Sequence, residues 1–203
     1  MTVLAANSLP DRVADVDALE ELLSRPSQAL IDDLAALKGD IIILGVGGKV
    51  GPCLARMAKR AAPDKRIVGV ARFSDAAVRQ RLEDWGVETI ACDLLHRDGV
   101  NALPKLPNVI YMAGKKFGTS GGEPFTWAMN AHVPALVGEA FAASRIVAFS
   151  TLCVYPFVDV TGPLCGEDVA PVPVGEYANS CVGRERVFQY FSHKHGTPGR
   201  LIR

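Results

Sequence analysis

Asp40-Ile41-Ile42-Ile43-Leu44-Gly45-Val46-Gly47-Gly48-Lys49-Val50-Gly51-Pro52 joins an apolar, β-branched run to a glycine-rich turn, and a helical segment over 53–62 follows at once. Gly45, Gly48 and Gly51 recur at three-residue spacing. Such a turn lets the backbone bend tightly and approach a pyrophosphate, while the free N–H groups of the next helix face its negative charge. Pro52 suits the first helical turn, where an N–H would lack a partner anyway. With 19 glycines in 203 residues, three of them carry little weight alone. The strand before and the helix after give the pattern its meaning. It points to a bound dinucleotide, with a purely structural turn as the alternative.

Working outward, two kinds of segment alternate from residue 40 onward. Apolar, strand-like runs lie at 41–45, 66–71, 87–91, 108–113, 145–150 and 200–203, with helical candidates at 52–62, 75–85, 97–103, 124–143 and 176–194. Continuous rather than alternating hydrophobicity marks strands covered on both faces, as in a parallel sheet. Ser74 is the expected N-cap of the second helix and Gly86 its C-terminal stop. Six strands with five crossovers predict an α/β fold, a doubly wound parallel sheet of Rossmann type over 40–203. Residues 1–39 form a separate helical extension, with short amphipathic helices at 15–24 and 27–37 interrupted by Pro26. They suit a helical pad on the sheet or a homodimer contact, with a cofactor lid as the alternative. The segment 156–175 carries Pro156, Pro163, Pro171 and Pro173, and loops of that length often border active sites.

The composition narrows the function. Hydrophobic residues make up 49% and charged residues 22%, enough for a substantial core. Lys+Arg and Asp+Glu both number 22, and no basic stripe interleaves with aromatics, which argues against a nucleic-acid partner. Cys53, Cys92, Cys153, Cys165 and Cys181 are odd in number and form no CxxC pair, as expected of reduced thiols in a cytoplasm. No secretory signal is visible over 1–12, and the apolar runs are far shorter than a membrane span. No metal is expected. Gly199-Arg200-Leu201-Ile202-Arg203 reads as the opening of a buried strand, so the chain is expected to be the first part of a longer protein.

Two further blocks carry chemistry. Phe149-Ser150-Thr151-Leu152-Cys153-Val154-Tyr155-Pro156 follows the fifth strand, and Tyr177-Ala178-Asn179-Ser180-Cys181-Val182-Gly183-Arg184-Glu185 lies on the next helix. With the glycine turn, Asp93 after the third strand, Ala113-Gly114 after the fourth and Asn130 in the long helix, this resembles the extended short-chain dehydrogenase/reductase family. That family comprises NAD(P)-dependent epimerases and dehydratases of nucleotide sugars. The resemblance runs from about residue 40 to 203 and implies a small sugar-type substrate. It implies that Gly45, Gly48 and Gly51, with Lys49 and Val50 between them, cradle the pyrophosphate. Asp93 and Leu94 would border the adenine, and Ala113, Gly114 and Asn130 the rest of the cofactor. Thr151, beside Ser150, would hydrogen-bond the substrate oxygen while Tyr177 exchanges its proton. A phenol and a hydroxyl converging on one carbinol oxygen can move a proton as hydride moves at carbon.

One element of the family pattern is replaced. Position 181, four residues after Tyr177 and on the same helical face, is Cys rather than Lys. In the family that lysine holds the nicotinamide ribose and lowers the tyrosine pKa by its charge. An unperturbed tyrosine, with a pKa of about 10, is ionised only about one part in a thousand at neutral pH. Ala113-Gly114-Lys115-Lys116 resembles the Ala-Gly-x-Lys of UDP-galactose 4-epimerases, so Lys116, and after it Lys115, is a candidate for the missing charge. Arg184, one turn beyond Cys181, is another. The second strand ends Val70-Ala71-Arg72-Phe73-Ser74, with Ala71 where NAD-specific sites place an acid. Arg72 would suit a 2′-phosphate, which favours NADP over NAD. The contrasting reading is a dinucleotide-binding module, a sensor or scaffold, that has lost efficient catalysis.

Overall fold

The computed structural model describes residues 3–4 and 9–203. Among these, a six-stranded sheet has the order β3-β2-β1-β4-β5-β6, with β1 Ile41–Leu44, β2 Ile67–Ala71, β3 Glu88–Ala91, β4 Asn108–Tyr111, β5 Arg145–Phe149 and β6 Gly199–Ile202. β1 pairs with β2, β2 with β3 and β5 with β6, all in parallel. This is the doubly wound arrangement that the alternating segments predict. The chain divides into two compact units, one reaching residue 92 and including 106–110, the other made of 93–105 and 111–203.

The first unit is organised by β1. All four of its residues are buried, as a strand covered on both faces requires. Helices α3 (Gly51–Ala61) and α4 (Ala76–Asp84) follow β1 and β2. Gly69 in β2 leaves room for Val46, since a Cβ there would stand 2.9 Å from the valine Cγ1. Helices α1 (Val16–Leu23) and α2 (Gln28–Ala36) pack on the helix α3, within the same compact unit. Glu21 receives Arg60 and Arg56, and Glu20 receives Arg81. The N-cap of α4 is Asp75 rather than Ser74: its carboxylate accepts from Ala77 N–H at 2.9 Å. Gly86 does end that helix, at φ +78, with its N–H on Glu83 C=O and that of Val87 on Leu82 C=O.

The second unit holds α5 (Arg97–Ala102), α6 (Glu123–Trp127), α7 (Val133–Ala140) and the 21-residue α8 (Gly175–His195). The continuous helix expected over 124–143 is instead broken by a π turn, Ala128–His132. Pro134 explains it. The ring lacks the N–H that would bond Asn130 C=O, and Val133 N–H reaches back to Ala128 C=O instead. Phe141, Val137, Leu136, Phe188 and Phe191 fill the core, and Tyr111 packs edge-on against Phe188 with ring centroids 5.0 Å apart. β6, read as a buried strand, is an edge strand, because only β5 pairs with it; Leu201 is its one partly shielded residue. Its next residue, Arg203, forms a bidentate pair with the fully buried Glu185 of α8. Among the described residues, no helix is long and apolar enough to cross a membrane.

Candidate active site

In the first unit the three glycines differ in what requires them. Gly45 sits at φ +96, and its N–H and that of Val46 both donate to Val70 C=O. Gly51 opens α3 so close to the preceding turn that a Cβ would fall 2.0 Å from Val46 C=O oxygen. Both are therefore demanded by the fold itself. Gly48 is not: its backbone is outside the left-handed region, and an added Cβ would meet nothing nearer than Gly45 oxygen at 3.8 Å. A glycine kept in open space is what a ligand's approach would require. No side chain caps the start of α3, and Pro52 stands in its first turn. Lys49 and Val50 are exposed beside it. These residues fit a pyrophosphate: a cradle that a side chain at 48 would fill, facing an uncapped helix N-terminus.

The end of β2 is unusual. Phe73 adopts φ +49, a left-handed conformation that costs a bulky residue of order 1–3 kcal/mol, with the Arg79 guanidinium 5.9 Å from its ring centroid. Arg72 just before it is exposed and makes no hydrogen bond or ion pair among the described residues.

In the second unit, a buried polar cluster gathers residues far apart in sequence. Asn130 is wholly buried. Its Oδ1 accepts from Lys115 N–H and from Arg184 Nη2, both at 2.8 Å, while its Nδ2 donates to Lys115 C=O at 3.0 Å and to Ser180 Oγ at 2.9 Å. Every polar position of the amide is thus spent on protein. Asn130, expected to border the cofactor, is placed as a support for the Lys115 backbone. Arg184 continues the cluster, donating from Nη1 to Phe149 C=O at 2.9 Å. Gly114 is needed here, since a Cβ on it would stand 2.4 Å from Arg184 Nη2. Ala113 is buried beside it.

Tyr177, on the first turn of α8, is half-buried. Burial holds its phenol above the ordinary value and Cys181 adds to the rise; a hydrogen bond with Thr151 and the charge of Arg184 oppose it. Cys181 is itself held up, chiefly by burial, so its thiol is neutral at pH 7. Thr151 also accepts from Cys153 N–H at 3.2 Å, opening the 3₁₀ turn Leu152–Val154. Thr151 and Tyr177 are therefore together. Ser150 donates to Glu185 Oε1 at 2.5 Å. Lys116 is exposed, its Nζ 5.6 Å from the Phe117 ring centroid, and Lys115 leans on Phe125 at 5.5 Å. Neither is among the groups acting on Tyr177. Asp93 accepts from Leu95 N–H at 3.0 Å, which shapes its own turn, and Leu94 is buried.

No protein-family profile matches the chain, and no curated protein matches it significantly. Solved structures do. A UDP-glucuronic acid 4-epimerase from Bacillus cereus, in complex with UDP-glucuronic acid and NAD, superposes with a TM-score of 0.69 at 20% identity over 81% of this chain. The UDP-Glc/GlcNAc 4-epimerase from Campylobacter jejuni gives 0.69 at 18% identity over 81%, and a UDP-glucose 4-epimerase from Brucella ovis in complex with NAD gives 0.65 at 18% over 81%. The chain has the fold of these epimerases. That is the fold implied by the resemblance to extended short-chain dehydrogenases/reductases. The chain spans about half the length of each, covering 55%, 52% and 51% of them respectively.

The part of this cluster that sequence reading undervalued is Arg184, along with Ser180 and the Phe149 carbonyl. The signal was present: Arg184 lies seven residues after Tyr177, two helical turns along the same face.

Proposed function

We propose that this chain binds an NAD-type dinucleotide and takes part in epimerase- or dehydratase-like chemistry on a nucleotide sugar. The observation that carries the reading is the meeting of Tyr177 and Thr151 in a fold shared with nucleotide-sugar 4-epimerases. A bound nicotinamide supplies the hydride acceptor and donor. Gly48 and the start of α3 hold the pyrophosphate. Thr151 steadies a sugar carbinol oxygen by hydrogen bonding, and Tyr177 takes its proton and later returns one. Arg72, exposed and without a partner among the described residues, favours a 2′-phosphate and hence NADP, set against the NAD found with several neighbours. A second reading, a binding module with little turnover, is favoured by the raised phenol of Tyr177 and the neutral thiol at 181.

Calorimetry with NAD and NADP, followed by turnover of UDP-sugars by the chain and its Tyr177→Phe variant, separates the two. Dinucleotide binding with turnover that falls about 10²- to 10⁴-fold in Tyr177→Phe supports the enzyme. Binding without turnover supports the module. A folded sample that binds neither dinucleotide at millimolar concentration defeats both.

A further inference from the structure

Arg184 carries an unusual burden. It is 5% exposed, yet both of its hydrogen-bonded partners are neutral: the Phe149 carbonyl and the Asn130 amide oxygen. Among the described residues its Nε has no hydrogen-bond partner. Among the described residues no carboxylate lies within ion-pair distance of it, and the adjacent Glu185 is committed to Arg203 and Ser150. A buried guanidinium without a counter-charge is costly to maintain, and a fold that needed only a brace could use a neutral side chain. What such a group does favour is negative charge nearby.

We propose that Arg184 is the positioning residue of the Tyr177 site, a fixed positive charge that favours the phenolate during proton transfer. The inference rests on the proton-transfer reading of Tyr177. The arrangement of the cluster supports it. Tyr177, Cys181 and Arg184 follow one another at helical spacing on α8. Cys181 Sγ lies 4.0 Å from Asn130 Nδ2, and the Oδ1 of that same amide holds the guanidinium. Gly114 leaves the space in which Nη2 sits. Cys181 and Arg184 from its own helix and Thr151 from the turn packed against it act on Tyr177, and the positive charge of Arg184 opposes the rise that burial causes. Lys116, by contrast, stands exposed over Phe117.

The test is a pH titration of Tyr177 in the full chain without dinucleotide, using the ¹³C resonances of labelled tyrosine. Tyr177→Phe assigns the signal against Tyr111, Tyr155 and Tyr190. Arg184→Met should move the Tyr177 midpoint upward, and Arg184→Lys should bring it part of the way back. Arg184→Gln, which keeps a donor for Phe149 C=O, replaces the Met variant if that one does not fold. In turnover assays the Met or Gln variant should lose about tenfold or more at neutral pH, and the pH profile should shift upward with the titration. An unmoved midpoint in folded variants overturns the proposal. So does an equal rise in the Lys and Met variants, which would show packing rather than charge at work. Because the titration needs no cofactor, failed dinucleotide binding would defeat the functional reading and leave this result standing. An unmoved midpoint with intact binding would defeat this inference alone.

Discussion

The glycine turn and the Tyr177 cluster are assembled in opposite ways. The turn lies within a dozen consecutive residues, and backbone does its work: N–H groups, a positive φ at Gly45, a close approach at Gly51. The cluster draws on Gly114, Asn130, Thr151 and Arg184, and buried side-chain charge and hydrogen bonds hold it. A backbone site tolerates sequence drift around it as long as its few glycines remain. A side-chain site fails or changes character with one substitution, as the neutral Cys181 beside Tyr177 illustrates.

The contrast is tested most severely at the buried charges of the second unit. Arg203→Met leaves Glu185, fully buried, without its cation, and should lower stability by about 3–5 kcal/mol in denaturant unfolding. Glu185→Gln should cost less, because the Arg203 side chain is 19% exposed and can turn to water. Equal or negligible losses would show that the pair is not what ties β6 to α8.

In the turn, Gly48→Val should abolish dinucleotide binding, a loss of at least about a hundredfold or roughly 3 kcal/mol, with the melting temperature nearly unchanged. Gly51→Ala should do the reverse first, destabilising the fold because its methyl meets Val46 oxygen at 2.0 Å. If Gly48→Val melts as early as Gly51→Ala, Gly48 is structural after all.

These two regions also differ in how far the sequence discloses them. β1, the turn and α3 can be read locally, since period, glycine spacing and Pro52 all lie within one window. The same holds for the placing of Tyr177 on a helix and Thr151 on a turn after β5. What stayed hidden needed contacts at long range. Ser150 donates to Glu185, 35 residues on, a contact no local pattern discloses. Asn130 lies in a π turn and spends its amide on Lys115, Ser180 and Arg184, all distant in sequence. Lys116 carries the family-like spacing, yet Arg184 holds the buried position. Even the N-cap of α4 is Asp75 rather than the expected Ser74, shown by its bond from Ala77 N–H.

Arg72 offers a smaller effect at the rim of the first region. Arg72→Ala should weaken NADP by about 1–3 kcal/mol and leave NAD nearly unchanged, the range for losing a hydrogen bond to a charged group. Equal losses for both cofactors in calorimetry would mean that the guanidinium does not read the 2′-phosphate.

The smallest effect is expected where the first unit does use side-chain charge, in the pad of α1 on α3. Glu21 is held below the usual carboxylate range, first by its hydrogen bond to Arg60 and then by the charges of Arg60 and Arg56. A carboxyl whose pKa is depressed on folding adds stability above its unfolded value, near pH 4.5. That stability fades as the pH falls through the lower folded value. The side chain is 35% exposed, so solvent screening limits the contribution to less than about 1 kcal/mol. Glu21→Gln should therefore be slightly less stable than the parent chain at pH 7, and the gap should close on acidification to about pH 3. Added salt at pH 7 should narrow it as well. A gap that persists at low pH would assign the role of Glu21 to packing rather than to charge, and the pad of α1 on α3 would then differ less from an apolar contact than its ion pairs suggest.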